Sequence, residues 1–369
     1  MLKSTDVFVI GGGPAGLAAA IAARHCGLRV MVADASEAPI DKTCGEGLMP
    51  DGLLALQGIG ITLRHCEGYP FRGIRFFSSG VSADALFPSP GVGLAVRRTT
   101  LHRIMVERAA DEGVELLWRT AVTGISGQEV HWKNRTVSAR WIVGADGSNS
   151  RVRRWAGLEA RVRTGLRYAF RQHYRVKPWS DHMEIYWGDR SQGYATAVSD
   201  NEVCVAVASR DAKLRVEQAL AALPELQARL RGAEIVSAER GALTANRTLK
   251  RVYQRNVALI GDASGTVDAI TGQGLGLSFS QSVALAQCFR SGNLGPYQIE
   301  HRRLALRPLW MARLMLTLDG RPRLQRRTLQ VFRRKPEIFG RLLALHVGAL
   351  SPQSLALDGI SFGWGLLTA

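Results

Sequence analysis

The sequence lacks long hydrophobic runs, paired cysteines and a leader pattern. No stretch of about 18 unbroken apolar residues occurs, so a transmembrane helix is not expected. The five cysteines are odd in number and widely spaced, with no C-x-x-C pair, which argues against a disulfide framework or a zinc site. The N-terminal segment enters a strand pattern without a signal peptide. Together these features predict a cytoplasmic protein with no metal site.

Composition and charge are those of a globular protein with a basic surface. Of the 369 residues, 46% are hydrophobic and 21% are charged, which excludes a disordered chain. The net charge of +17 comes mainly from arginine and is densest between His301 and Arg341. No motif with interleaved aromatic residues accompanies it, so nucleic acid is not an expected partner. Peripheral contact of this basic C-terminal region with a membrane or a protein partner stays open.

The N-terminal segment has the pattern of a strand, a glycine turn, a helix and a second strand. An apolar run at 6–10 meets the sequence GGGPAG, and a second apolar run ends at Asp34. An acid at the end of the second strand is placed to bind a ribose 2′-hydroxyl and to repel a 2′-phosphate. The pattern predicts a dinucleotide-binding unit of the Rossmann type, and does not by itself separate NAD from FAD.

Each small residue of the glycine turn has a predicted task. Gly11 permits the tight turn, Gly13 lets the backbone approach a pyrophosphate, and Gly16 lets helix and strand pack closely. The helix that begins near Pro14 and Ala15 directs its free N–H groups and its positive dipole end at that pyrophosphate. These positions are therefore candidate cofactor contacts.

The rest of the chain extends this unit and adds a second sheet. Residues 166–210 contain four stretches of period-two alternation, which predict an antiparallel sheet, and 212–231 predict one amphipathic helix. A buried strand at 256–260 and a helix at 274–289 resume the first pattern, and the chain beyond 297 is basic and helical. The fold class is thus α/β, a Rossmann-type fold with an inserted antiparallel substrate sheet and a C-terminal helical segment.

The same order predicts a discontinuous domain arrangement. The dinucleotide-binding domain is expected at 1–75, 93–160 and 250–292, the substrate domain at 76–92 and 161–249, and the C-terminal helical region at 293–369.

Two further segments resemble fingerprints of one flavoprotein superfamily. GADGSNSRVRR at 144–154 resembles the DG motif of the para-hydroxybenzoate hydroxylase superfamily, and NVALIGDASGTVDAITGQGLGLS at 256–278 is similar to its GD motif. Three fingerprints in the family's order imply a protein that binds FAD non-covalently. No second glycine fingerprint exists, so NAD(P)H, as electron donor, would bind transiently in the cleft.

The resemblance also implies positions for individual residues. Asp262 would bond the ribityl chain of FAD, and the helix start at 272–275 would approach the flavin pyrimidine ring, where it stabilises negative charge. Asp146 would lie near the pyrophosphate and serve NAD(P)H-linked function. Arg98 would lie near FAD, with a solvent-facing arginine as the alternative. The implied FAD contacts are Arg98, Asp146, Gly147, Gly261, Asp262, Gly272, Gln273, Gly274 and Leu275.

The segment DKTCGEGLMPDGL at 41–53 resembles the cysteine loop of geranylgeranyl reductases and the G-E-S-L-L-P loop of flavin-dependent halogenases. Both lie beside the flavin, so Cys44 and Gly45 are candidate FAD contacts, and Cys44 and Glu46 are candidate catalytic residues. A cysteine is more often a small buried hydrophobe, and Glu46 is equally suited to stabilise the loop. The halogenase signature W-x-W-x-I-P is absent, which disfavours chlorination.

Three functions follow from these resemblances. The first is an FAD-dependent monooxygenase that hydroxylates a hydrophobic aromatic or polyketide-like molecule through a flavin C4a-hydroperoxide. The second is a geranylgeranyl reductase-like enzyme, in which flavin N5 gives hydride to an isoprenoid C=C bond and Cys44, Glu46 or solvent gives the proton. The third is a flavoprotein that modifies a partner protein docked on the basic surface.

Overall fold

The computed structural model describes residues 3–159 and 162–351. The elements of the N-terminal part are β1 (Lys3–Ile10), α1 (Pro14–Arg24), β2 (Val30–Ala33), β3 (Gly47–Leu48), α2 (Pro50–Gln57), β4 (Tyr69–Phe71), β5 (Gly73–Ser78), β6 (Val81–Leu86), β7 (Gly93–Ala95), α3 (Arg98–Asp111), β8 (Glu115–Leu117), β9 (Gly124–Ser126), β10 (Glu129–Trp132), β11 (Arg135–Gly144) and α4 (Arg151–Trp155).

The remaining elements are β12 (Val162–Arg175), β13 (His182–Trp187), β14 (Ser191–Ser199), β15 (Glu202–Ser209), α5 (Val216–Ala221), α6 (Pro224–Arg229), β16 (Glu234–Ile235), β17 (Arg240–Thr248), β18 (Tyr253–Gln254), β19 (Val257–Leu259), α7 (Gly274–Ser291), α8 (Gly295–Leu318), α9 (Pro322–Arg334) and α10 (Pro336–His346).

The first sheet has a parallel centre with helices packed against it. Its strand order is β18-β19-β11-β1-β2-β8, and β1 pairs in parallel with both β2 and β11. Every residue of β2 is buried, as expected when both faces of a parallel sheet are covered. The small side chains of α1 let it pack closely against α3 and α7. This arrangement confirms the predicted Rossmann-type α/β fold.

The second sheet has the strand order β16-β12-β15-β14-β13-β5-β6, with β17 also paired to β12. Its pairs are antiparallel except for β5 and β13, which run parallel. The four strands predicted in 166–210 are β12 to β15. The proposed domain boundary at residue 76 falls inside β5, so we place the crossing into this sheet at Gly73, where β5 begins.

One expectation about this region was wrong, and one strand was not predicted. The helix predicted over 212–231 is two short helices, α5 and α6, because Pro224 has no N–H to continue α5 and holds Leu223 out of the helical conformation, at φ −128° and ψ 70°. The strand β17 was missed, although it pairs with β12 over most of its length. Its sequence RGALTANRT has little of the alternation that marks a half-buried strand.

The C-terminal helices cover one face of the second sheet. Both α9 and α10 pack on β6, and α9 also contacts β5. Aromatic rings form this contact, since Phe76 of β5 lies 5.7 Å from Phe339 of α10 between ring centroids. Among the helices of residues 3–159 and 162–351, none is long and apolar enough to cross a membrane. One large cavity lies between the two sheets and these helices.

Candidate active site

The glycine turn between β1 and α1 forms one end of the cavity. Gly11 has φ +113°, and a Cβ there would lie 2.4 Å from the carbonyl oxygen of Ala145. A Cβ on Gly16 would lie 1.8 Å from the carbonyl oxygen of Gly11, so both glycines are required by packing. A Cβ on Gly13 would meet no protein atom within 4 Å. Gly13 and the N-terminus of α1 therefore face open space, where an anion can be held.

Asp34 and His102 hold this turn in place. The carboxylate of Asp34 accepts hydrogen bonds from the backbone N–H of Gly12 and of Ser36, each 2.7 Å long. His102 Nδ1 accepts from the N–H of Ile40, so Nε2 carries the proton and donates to the Gly12 carbonyl at 2.8 Å. Burial lowers the pKa of His102, which keeps the ring neutral. Binding of a ribose hydroxyl by Asp34 stays a prediction, and sequence reasoning did not single out His102.

Asp146 caps a helix beside the same cleft. Its Oδ2 accepts hydrogen bonds from the backbone N–H groups of Arg151 and Val152, at 2.6 and 3.1 Å, so the carboxylate caps the N-terminus of α4. Its Oδ1 is buried and has no hydrogen-bond partner among the described residues. Gly147 follows with φ +81° and lines the cavity. The motif thus combines a capping carboxylate behind the cavity wall with a glycine that lines the cavity.

The second glycine-rich segment brings another helix N-terminus to the cleft. Gly261 and Gly272 adopt φ values of +58° and +65°, which glycine reaches without strain. A Cβ on Gly274, the first residue of α7, would meet nothing within 4 Å. Gln273 donates from Nε2 to the His346 carbonyl at 2.6 Å and so joins the start of α7 to α10. Leu275 continues the cavity wall.

Asp262 and Arg98 place opposite charges in this cleft. Asp262 is accessible from the cleft, yet its withdrawal from bulk water raises the pKa of its carboxyl, against the opposing effect of Lys42, Arg98 and Arg247. No hydrogen bond to this carboxylate is present within the described residues. Arg98 is only 8% exposed, and its Nε has no hydrogen-bond partner among the described residues. The alternative of a solvent-facing Arg98 is therefore wrong.

Cys44, Gly45 and Glu46 form a strained loop at the middle of the cavity wall. Glu46 has φ +62°, a conformation that is unfavourable for a residue with a side chain. The Oε1 atom of Glu46 accepts a hydrogen bond from the backbone N–H of Arg98 at 2.9 Å, and the backbone N–H of Glu46 donates to the Cys44 sulfur at 3.3 Å. Burial raises the pKa of the Cys44 thiol, opposed by Arg98 and reinforced by Glu46. The thiol therefore keeps its proton at neutral pH.

His173 fixes the other carboxylate oxygen of Glu46. Arg171 can only donate, and its Nη1 lies 3.0 Å from His173 Nδ1, so Nδ1 accepts and Nε2 carries the proton. That N–H donates to Glu46 Oε2 at 2.7 Å, and Ser237 adds a contact to Nδ1. With both oxygens accepting hydrogen bonds, Glu46 is held as an anchoring carboxylate rather than as a proton donor.

The same cluster includes Cys204, which sequence reasoning did not connect with the site. The donor atoms of Glu46, His173 and Cys204 lie within 4.8 Å of one another, close enough to hold a metal ion. The guanidinium of Arg171, which is buried and paired with Asp41, points at the imidazole and would repel a cation. Burial also raises the pKa of the Cys204 thiol, which disfavours the thiolate a metal requires. The geometry favours a hydrogen-bonded network.

Beyond this loop the cavity becomes an apolar chamber. The second sheet lines one side of the chamber with Phe76, Met183 and Trp187. The C-terminal helices line the opposite side with Met315 and Phe339. The whole cavity, cleft and chamber together, has a volume of about 470 Å³. That is within the range of sites for small organic ligands. The chamber suits a hydrophobic substrate next to the cleft.

Open space at Gly13 and Gly274, the helix N-termini that follow them and the Asp262 carboxylate in the cleft fit a dinucleotide cofactor. Residues 4–291 match a protein-family model described as an FAD binding domain. The chain belongs to this family. It is therefore an FAD-dependent oxidoreductase, and the resemblance to the flavin hydroxylase and geranylgeranyl reductase superfamily is confirmed.

Two curated reductases and one solved structure illustrate the family. The chain is 30% identical over 325 residues to the menaquinone reductase of Mycolicibacterium smegmatis, covering 80% of this chain and 79% of the relative. It is 28% identical over 297 residues to digeranylgeranylglycerophospholipid reductase 1 of Methanothermobacter thermautotrophicus, covering 74% of each. A flavoprotein/dehydrogenase from Cytophaga hutchinsonii shares the fold with a TM-score of 0.80, at 18% identity and coverage of 94% and 93%.

The FAD contacts predicted from sequence fall into two groups in the structure. One group lines the cavity directly: Gly13, Pro14, Ala15, Cys44, Gly45, Arg98, Gly147, Gly261, Asp262, Gly272, Gly274 and Leu275. The other group lies behind the wall and shapes it: Gly11, Gly16, Asp34, Asp146 and Gln273. The structure adds Lys42 and the β17 residues 242–244 to the wall. Lys42 had a detectable signal, since it stands two residues before Cys44.

Proposed function

We propose that this FAD-dependent oxidoreductase reduces a carbon–carbon double bond in an isoprenoid substrate. The proposal rests on the Cys44 thiol, which lies on the wall of the cavity at the junction of cleft and chamber. Its pKa is raised by burial, so a proton is available there at neutral pH. Reduction of a C=C bond requires a proton at one carbon and a hydride at the other, and reduced FAD, when bound, supplies the hydride.

The apolar chamber supports a substrate of this class. Side chains from both the sheet and the helices leave mostly hydrocarbon surface, as at Met183, Trp187 and Met315. The two curated relatives are named for menaquinone and for a digeranylgeranyl lipid, and both of these compounds carry isoprenoid chains. An isoprenoid chain would therefore occupy the chamber with one double bond beside Cys44.

The neighbouring residues have distinct tasks in this proposal. The Cys44 thiol gives its proton to the substrate carbon, and water returns a proton to the thiolate. The Arg98 guanidinium stabilises that thiolate, since its charge lowers the pKa of Cys44. Glu46 and His173 hold the loop in its strained conformation, so the sulfur stays at the chamber wall. The apolar walls exclude bulk water from the reacting atoms.

The electron donor is part of the same proposal. NAD(P)H would bind transiently at the cleft, because the sequence holds no second glycine fingerprint. Anaerobic bleaching of bound FAD by NADH or NADPH, followed by its absorbance, measures this step directly. No bleaching with either nucleotide would assign reduction to another donor and leave the chemistry at Cys44 open to test with chemically reduced protein.

Anaerobic turnover in heavy water tests the reaction. FAD-loaded, chemically reduced protein is mixed with a lipid that carries a geranylgeranyl chain, and the product is analysed by mass spectrometry. We expect two hydrogens to add per reduced bond, both of them deuterium, because the thiol proton and the N5–H of reduced flavin exchange with heavy water. The Cys44→Ala variant should keep FAD and lose at least about tenfold in rate, whereas Cys66→Ala, an exposed control, should not. A product that gains oxygen only in air would overturn the proposal in favour of the monooxygenase.

A further inference from the structure

Helix α8 exposes an apolar strip on its outer face. Ile299, Leu306 and Trp310 are 72%, 66% and 48% exposed, and they are separated by seven and four residues. This spacing places all three on one side of an α-helix. We refer to these three residues as the α8 strip. Large apolar side chains in line on a surface mark a binding site more often than scattered ones do.

Arginines border the α8 strip. Arg302 and Arg313 lie on one side of it and Arg303 on the other, and all three are exposed. Residues 295–346 contain twelve basic and three acidic side chains. The net charge of this segment is therefore +9, which is more than half of the net charge of +17 of the whole chain. An apolar strip bordered by arginine on a helix is the pattern of an interfacial helix, and it selects an anionic surface.

The inner side of α8 belongs to the substrate chamber. Met311, Leu314 and Met315 line it, and so does Thr317, which is also exposed to solvent. Thr317 follows Ile299 by eighteen residues, or five helical turns, so it lies in line with the α8 strip. Leu243 of β17 likewise lines the cavity while 43% exposed. The strip thus leads along the helix to a place where the chamber opens.

We propose that the α8 strip is the docking surface for a lipid bilayer that contains anionic lipid. The strip enters the boundary between headgroups and acyl chains, with Trp310 at the depth this side chain prefers, and the flanking arginines contact lipid phosphates. A substrate embedded in the bilayer would then enter the chamber beside Thr317. Docking stands independently of the reaction, whereas this route of entry rests on the proposed function.

Vesicle flotation tests the docking surface without any turnover. FAD-loaded full-length protein is mixed with vesicles of phosphatidylcholine alone, or of phosphatidylcholine and phosphatidylglycerol in equal amounts. We expect flotation only with the anionic vesicles and release at high salt. The double variant Leu306→Ser, Trp310→Ser should lower the bound fraction at least about tenfold. Ile235→Ser, at a site on β16 that is 55% exposed, should bind like the unchanged protein.

Other results would overturn the proposal. Equal flotation of the double variant would assign membrane binding to another surface, and no flotation would exclude this lipid surface. A dimer in gel filtration with light scattering that the double variant converts to a monomer would show that a second copy covers the strip. Protection of the strip from hydroxyl-radical labelling in monomeric protein without vesicles would show that the chain covers it itself.

Discussion

Replacing Gly13 with alanine should weaken FAD binding while leaving the fold intact. At φ −71° and ψ 175° the position suits any residue, and a Cβ there meets no protein atom within 4 Å. Alanine also reduces the conformational entropy of the unfolded chain, and this gain in stability offsets the small loss that alanine causes at a helix N-cap. The free energy of unfolding of the FAD-free protein should therefore change by less than about 1 kcal/mol.

The loss of FAD affinity can be worked out from the same geometry. The added methyl group projects into the space from which the N-terminus of α1 would hold the pyrophosphate. Losing two hydrogen bonds to a charged group at about 1.5 kcal/mol each costs about 3 kcal/mol. That corresponds to a weakening of FAD binding by at least about a hundredfold.

Fluorescence titration of FAD into FAD-free protein, together with urea unfolding, measures both quantities. Gly16→Ala is the matched control, because its Cβ would lie 1.8 Å from the backbone oxygen of Gly11. This variant should lose about 1–3 kcal/mol of stability or more from overpacking. Full FAD affinity in Gly13→Ala would refute the assignment of the cleft, and a large loss of stability in the same variant would refute the packing argument.

Three further predictions follow from buried titratable groups. In FAD-free protein at pH about 8, iodoacetamide should alkylate Cys44 at least about tenfold more slowly than the exposed Cys66, since burial keeps the Cys44 thiol protonated. His173→Leu should lower the free energy of unfolding in urea by about 3–5 kcal/mol, because one oxygen of the buried Glu46 carboxylate loses its hydrogen-bond donor. Burial lowers the pKa of His301 and His346 from 6.5 to about 4, so the unfolded chain takes up protons first as the pH falls. Stability should therefore be complete above pH 6.5 and should fall towards pH 4, by up to about 3 kcal/mol for each histidine.

Each of these predictions has a result that contradicts it. Faster labelling of Cys44 than of Cys66, read by peptide mass spectrometry, would mean that the thiolate form is favoured. His131→Leu is the control for His173, since His131 is partly exposed, and equal stability of the two variants would remove the anchoring role. A free energy of unfolding that stays constant from pH 6.5 to pH 4 would show that the two histidines are not buried as neutral rings.

Local features of the chain allowed the cofactor end of the site to be predicted. The turn at Gly11, Gly13 and Gly16 depends on residues that are neighbours in sequence, so the pattern itself predicts the conformation. The helix start at Gly272 and Gly274 was implied by the resemblance of the GD motif, and both glycines line the cavity. The backbone conformation at such positions is determined by a short segment of the chain.

Contacts between distant segments could not be predicted in the same way. His173 reaches Glu46 across 127 residues, and Arg171 reaches Asp41 across 130. Neither pair has a sequence signal, because each depends on how β12 lies against the loop that carries Cys44. The missed strand β17 has the same origin, since its pairing with β12 outweighs its weak intrinsic pattern.

The sequence alone determined the Rossmann-type unit, the FAD fingerprints and the candidate loop at Cys44, since turns, helix starts and strand periodicity are encoded over a few residues. The packed structure was needed to show that Arg98 is buried, that Glu46 is an anchored carboxylate and that the C-terminal helices cover an apolar chamber. Burial and partner choice arise when elements far apart in the chain pack together, and that packing sets which groups keep their protons and which meet solvent.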